Sequence, residues 1–297
     1  MAYADLLLGL RALFLESPEA PSREALLDAR APGLSPAERA ALAGLPEDRL
    51  ALYAGLLREN QALMVGFVAP CTLEVAGALA GVPREELARA TLLGSPRTSS
   101  SLRELGARLV EHLEGRGAAW VERCPPLLDL ARLERGQTEV FYAPDDEGGL
   151  TPHEFGERAT LATVEEVLAL EVRRASATRS VEVVHDVVAW RADRFEHGAW
   201  GPPPPRLPSP VGVLLSRDPG DLQTVAQVLD PAVHGLLLSD RLRDWSPLES
   251  LAEGWIAAAG VLPEDPAAAG RFFEEVAGWV RAGVLAVRPP AGTTPGG

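Results

Sequence analysis

The apolar positions of this 297-residue chain change their spacing about half-way along it. Up to residue 142 they recur every three or four places, which keeps one side of a helix apolar. Leu6, Leu7, Leu10, Leu13 and Phe14 mark a helix over 3–16. Ser35, Pro36 and Glu38 open the next as a capping box with proline at the first helical position. Pro46, Glu47 and Asp48 open a longer helix carrying Leu50, Tyr53, Leu56 and Leu57. The apolar run 63–79 stays helical with a bend at Pro70, which lacks the N–H a helix interior uses. Helices over 84–93, 102–113 and 125–142 complete this half, with a loop at 94–100.

Beyond residue 144 the spacing shortens. A composition break at 144–150 is followed by a helix capped at Thr151, strands over 167–173 and 181–184, and a helix over 187–195. Residues 201–210 hold six prolines and read as a stiff extended linker. An apolar run at 211–217 meets the turn signal Asp218-Pro219-Gly220-Asp221. From 222 to 229 the chain alternates with period two, as a strand does. Leu222, Thr224, Ala226 and Val228 share one face; Gln223, Val225, Gln227 and Leu229 share the other, and both faces are mixed.

Three helix starts follow, each a capping residue before proline: Asp230-Pro231, Ser246-Pro247 with Glu249 completing a capping box, and Asp265-Pro266. Phe272, Phe273, Val276, Trp279 and Val280 line one face of the last helix. Gly260 and Gly283 end the last two helices, and 284–287 forms a closing strand. Strand, turn, strand, three helices is the order of a winged-helix module. The predicted fold class is therefore α+β. An all-helical bundle spans 1–144 and a connecting segment 145–210. A winged-helix-like domain covers 211–290, and 291–297 is a disordered tail.

Winged helices bind DNA or hold a peptide, and charge separates the two. The chain carries 42 acidic and 28 basic residues, a net −14. Within 211–288, eleven acidic residues face six arginines, a net −5. Duplex binding needs a basic face against the phosphates, so the balance favours a protein or peptide partner. A DNA-binding regulator is the alternative reading. Lysine is absent, as in proteins from GC-rich genomes. Cys71 and Cys124 stand far apart with no CxxC, which fits a reducing cytoplasm and gives no metal signature. No signal peptide opens the chain. The apolar stretch 63–82 contains Glu74 and Pro70 and reads as a buried helix rather than a membrane span.

No catalytic set emerges. His153 and Glu154 begin like a zinc-protease helix, but the second histidine one turn on is missing. A cap explains Glu154 without a metal. Asp145, Asp146 and Glu147 read as a solvated acidic loop. Cys124 reads as a structural cysteine; its place at a helix start, where the dipole can lower a thiol pKa, is the alternative. No nucleophile elbow, phosphate loop or dinucleotide fingerprint occurs. The chain is expected to be non-catalytic, with no metal and no cofactor of its own.

Two stretches resemble known families. Pro231, Leu236 to Leu238, Ser246-Pro247-Leu248, Leu251-Ala252, Phe273, Val276 and the run 279–285 resemble the precursor-peptide recognition element of ribosomal peptide pathways. Arg49 to Tyr53, Leu57 to Asn60, the run Pro126 to Glu134 and Phe141-Tyr142 resemble the helical domain of a second family. That family was once labelled a DNA-binding domain. Its members are partner proteins of multinuclear non-haem iron-dependent oxidative enzymes. The usual Tyr-Arg-Asn-Asn element of that domain is met only by the looser Tyr53 to Asn60.

Together these resemblances imply a heterodimer in the cytoplasm with the iron enzyme, with no nucleic acid or membrane partner. They also imply capture of a precursor leader by β-strand addition. The residues expected around that groove are Leu222, Thr224, Ala226 and Val228 on the strand, with Phe272, Val276 and Trp279 on the last helix. Those three also stand at core spacing.

Overall fold

A computed structural model describes residues 3–15, 22–93, 102–146, 148–261, 265 and 267–290. The loop predicted over 94–100 and the tail predicted over 291–297 lie outside the described residues. The protein mixes helices with two three-stranded antiparallel sheets, which agrees with the α+β class. It divides into two compact units, Met1–Ala131 and Arg132–Gly297.

Among the described residues, the regular elements of the first unit are all helices. It comprises α1 (Tyr3–Leu15), α2 (Arg23–Arg30), α3 (Pro36–Ala43), α4 (Glu47–Val68), α5 (Pro70–Ala78), α6 (Arg84–Leu93), α7 (Leu102–Glu114), α8 (Ala118–Arg123) and the start of α9 (Pro126–Phe141). The box predicted at Ser35 forms: Ser35 Oγ accepts the Glu38 N–H, and the Glu38 carboxylate accepts the Ser35 N–H at 2.9 Å. The predicted bend falls at Ala69, with Pro70 opening α5. Leu27, Ala31, Leu34 and Leu42 are buried together, with Leu6, Leu10 and Leu13 against them. Leu50, Ala54, Gln61, Val65 and Val68 form the buried side of α4, which packs on α1, α6 and α7.

The second unit begins inside α9 and continues through α10 (Pro152–Leu161), α11 (Val164–Leu168), β1 (Glu171–Arg174), β2 (Arg179–His185), α12 (Val187–His197), β3 (Arg206–Arg217), β4 (Thr224–Val228), α13 (Pro231–Leu238), a 3-10 turn at Asp240–Leu242, β5 (Ser246–Pro247), α14 (Leu248–Ala259), α15 (Ala268–Arg281) and β6 (Leu285–Arg288). One sheet has the order β5-β1-β6, the other β2-β3-β4.

Three sequence readings change here. First, 145–210 is not a connector. Val172 of β1 is fully buried at the centre of its sheet and belongs to the same core as Leu214, Trp255, Phe272 and Val276. β2 pairs along β3 from Arg179↔Leu215 to Val183↔Val211. The proline-rich stretch itself enters β3 at Arg206, because prolines lack only the donor and an extended backbone suits them. Second, 164–168 is a short helix capped by Thr163, so the strand predicted from 167 starts at Glu171. Third, the capping box at Ser246 does not form. Ser246 and Pro247 instead pair with Val172 and Glu171 as β5, and α14 starts without a side-chain cap. Sequence reading passed over α2 and α8, both of eight residues or fewer.

Candidate functional site

The predicted peptide site divides into two parts that the fold keeps separate. β4 is an edge strand: β3 occupies one side, and among the described residues no strand occupies the other. The antiparallel register sets Arg217↔Thr224, Leu215↔Ala226 and Val213↔Val228. The Asp218 N–H donates to the Gln223 carbonyl at 2.8 Å. Ladder bonds alternate every second residue in an antiparallel pair. The inward-bonded pairs are therefore Ser216 with Val225 and Leu214 with Gln227. The backbone N–H and C=O groups of Thr224, Ala226 and Val228 point away from β3, toward the open margin.

The strand is shorter than predicted. Leu222 lies in the turn with φ of 62°, a left-handed conformation uncommon for leucine, and its N–H donates to the Asp218 carbonyl. Leu222 and Val228 are nonetheless about half exposed.

The α15 part of the prediction is corrected. Phe272, Val276 and Trp279 are buried, with Phe272 against Trp255 at 5.5 Å between ring centres. They pack the core that also takes Phe155, Val172 and Leu251. α15 lies against α10, α14 and β6, while β4 lies against β3. These three side chains are core.

β3 is covered on both faces of its sheet. On one face, Gly136 of α9 sits over Leu215 and Val181, where a Cβ would come 2.5 Å from Leu215 Cδ1. On the other, the His234 imidazole of α13 lies directly on Gly212, in the space a Cβ would fill. Arg217 at the end of β3 donates to the Phe141 carbonyl at 2.7 Å and pairs with Asp145 at 2.5 Å. Asp146 takes Arg173 at 2.6 Å and the Ser176 N–H at 2.8 Å. Asp146 is thus a tie between segments of this unit rather than a solvated acid, whereas Asp145 pairs with Arg217 but stays 86% exposed, as a solvated acidic loop would have it. Glu147 lies outside the described residues.

The remaining candidate chemistry resolves as follows. Ser180 Oγ and His234 Nε2 lie 3.1 Å apart, a pair that sequence spacing could not reveal because 54 positions separate them. Burial lowers the His234 pKa and favours the neutral ring. A nucleophile and base also need a third group to orient the ring, and among the described residues no carboxylate bonds to His234. Ser180 also lines a shallow cleft of about 490 Å³ with Arg173, Arg174, Arg179 and Arg243. Asp193, Glu196 and His197 approach one another at the end of α12. All three are exposed, and His197 Nδ1 lies 3.0 Å from the Asp193 carbonyl oxygen, as on an ordinary solvated helix end.

His153 is exposed beside Glu157 at 3.4 Å, while Glu154 closes a capping box with Thr151. Cys71 and Cys124 are free and buried. Burial pushes the Cys124 thiol up, outweighing the Leu127 N–H, so its place before α9 does not activate it. No single helix among the described residues is long and apolar enough to cross a membrane. No protein-family model matches the chain, and no curated protein matches it.

Proposed function

We propose that this chain is a non-catalytic partner protein that binds a ribosomally made precursor peptide and delivers it to a multinuclear iron oxidative enzyme in the cytoplasm. The helical first unit is a bundle that docks on the enzyme. The second unit works as an enlarged winged-helix-like recognition domain whose β4 receives the leader as an added strand. The open margin of β4 is the observation that carries this reading. Three residues there, Thr224, Ala226 and Val228, direct backbone donors and acceptors outward. An unpaired edge of this kind is a template for another chain unless it is blunted, and β4 bears no charged residue. Backbone bonds to an added strand set register, while Leu222 and Val228 offer apolar surface to its side chains. The net charge of −14 weighs against phosphate binding as the main task.

The test is a calorimetric titration with the leader of the co-encoded precursor, using wild type and Ala226→Pro. Proline at 226 removes an outward donor and leaves the inward bonds of Val225 and Gln227 intact. Leader affinity should fall at least about tenfold, roughly 1.4 kcal/mol, with the melting temperature nearly unchanged. Equal affinity in the two proteins, or no binding by wild type, sinks the reading. Salt-dependent binding of a duplex in its place supports the regulator alternative.

A further inference from the structure

α4 is apolar on two sides, one buried and the other exposed. Opposite its buried side, Leu52, Tyr53, Leu56, Leu63 and Phe67 are between 54 and 73% exposed. The four aliphatic and phenylalanine side chains fall at intervals of four, seven and four residues, which aligns them as one stripe. From Leu52 to Phe67 that stripe runs about 22 Å at 1.5 Å per residue. Single exposed apolar residues are ordinary; a continuous row along three to four turns marks an interaction surface.

The row is symmetric about the bond between Glu59 and Asn60. We infer that it is covered by α4 of a second copy of this chain, antiparallel, about a two-fold axis through that point. In this register Leu52 lies level with Phe67 of the other copy, and Leu56 with Leu63. No apolar member of the row faces a polar one. The polar break falls on the axis itself. There Asn60 meets its symmetry mate, and each amide can donate to the other's carbonyl oxygen. A polar pair at such a position fixes register and orientation. Glu59 beside it is held by Arg89 at 2.7 Å, so two carboxylates near the axis are each neutralised within their own copy. A two-fold interface presents one patch to itself, and the four-seven-four spacing lets this patch do so in the antiparallel sense. The five side chains expose on the order of 600 Å² per copy, close to the roughly 800 Å² per partner of a standard stable interface.

The full-length protein tests this by light scattering after size exclusion and by cysteine cross-linking. Wild type should run at twice the 31.6 kDa chain mass. Leu56→Glu and Leu63→Glu, both at exposed positions, should run at the single mass with an unchanged circular dichroism spectrum. Both native cysteines are buried, so an introduced thiol reports alone. Asn60→Cys should cross-link to itself within the dimer, and Leu52→Cys, about 22 Å from its mate, should not. A wild type that is monomeric at every concentration overturns the inference. So does a dimer that survives Leu56→Glu or cross-links through Leu52→Cys. If wild type is monomeric and Leu56→Glu loses the iron enzyme, the stripe belongs to that partner instead.

Discussion

Gly212 and His234 show how much one missing side chain can decide. The imidazole fills the space that any Cβ at 212 would take, and its Nε2 reaches Ser180 on the neighbouring strand. Gly212→Ala should therefore cost about 1–3 kcal/mol by overpacking, read from urea unfolding. His234→Ala should relieve part of that, so the double variant should lose less than the two single losses summed. The same ring gives a pH signature. Burial holds His234 below its ordinary value, and burial with the nearby Arg116 does the same to His112. The folded protein then binds fewer protons than the unfolded chain. The stability from these neutral rings is complete above the unfolded value of about 6.5 and falls as pH drops below it. The lowered carboxylates of Glu154, Glu38 and Asp265 act later, as pH falls through the carboxylate range. Melting temperature should thus decline between pH 7.5 and 5.5, and His234→Gln should shrink that decline. A decline of unchanged size in this variant would place the effect elsewhere.

Among the elements, sequence signals held where they were local. Capping residues, proline at the first turn and the glycines at 260 and 283 are short-range devices, and most helix ends obey them. Ser246 is the instructive exception. The run from Ser246 to Glu249 satisfies the local rules for a cap, yet β1 offers an unpaired edge, and Ser246 and Pro247 join it as β5. Tertiary pairing overrode a signal that neighbouring residues alone would have decided. The two-residue alternation around Thr224 gave the strand, while the left-handed turn at Leu222 shortened it. The alternation could not say which neighbour β4 has, because period two is the same for an edge strand and a central one. That is why Thr224, Ala226 and Val228 could be assigned to one face, whereas Phe272, Val276 and Trp279 were placed in a groove although they fill the core. The element-level consequence is sharp. Proline at 226 spares the β3 ladder, whereas proline at 225 removes an inward bond to Ser216 and should destabilise the strand itself. Val225→Pro should lower the melting temperature where Ala226→Pro does not.

For the whole molecule, what counts as a unit differs from what the sequence boundaries suggested. A break in composition at 144–150 and a run of prolines at 201–210 both look like places to cut. Neither is a seam. β2 completes the sheet of β3, β1 joins β5 to β6, and Gly136 of α9 sits over Leu215 and Val181. The seam lies inside α9, at residue 131, in the middle of a continuous helix. Composition cannot reveal such a boundary, because a helix shared by two units is apolar on both sides of it. A fragment of residues 211–290 keeps most of β3 with β4, α13, α14 and α15. It would nonetheless expose Leu214, Leu215 and Val287, which are buried by segments outside it or pair with them. At about 1.5–3 kcal/mol for each large apolar side chain returned to water, those losses are comparable with the 5–15 kcal/mol stability of an ordinary domain. That fragment should give a collapsed amide spectrum without dispersed peaks. A fragment of residues 124–290, which keeps α9, β1 and β2, should give dispersed peaks and melt cooperatively. If the shorter fragment folds as well as the longer one, α9, β1 and β2 contribute little to this core, and the open edge of β4 can be studied on 80 residues instead of 167.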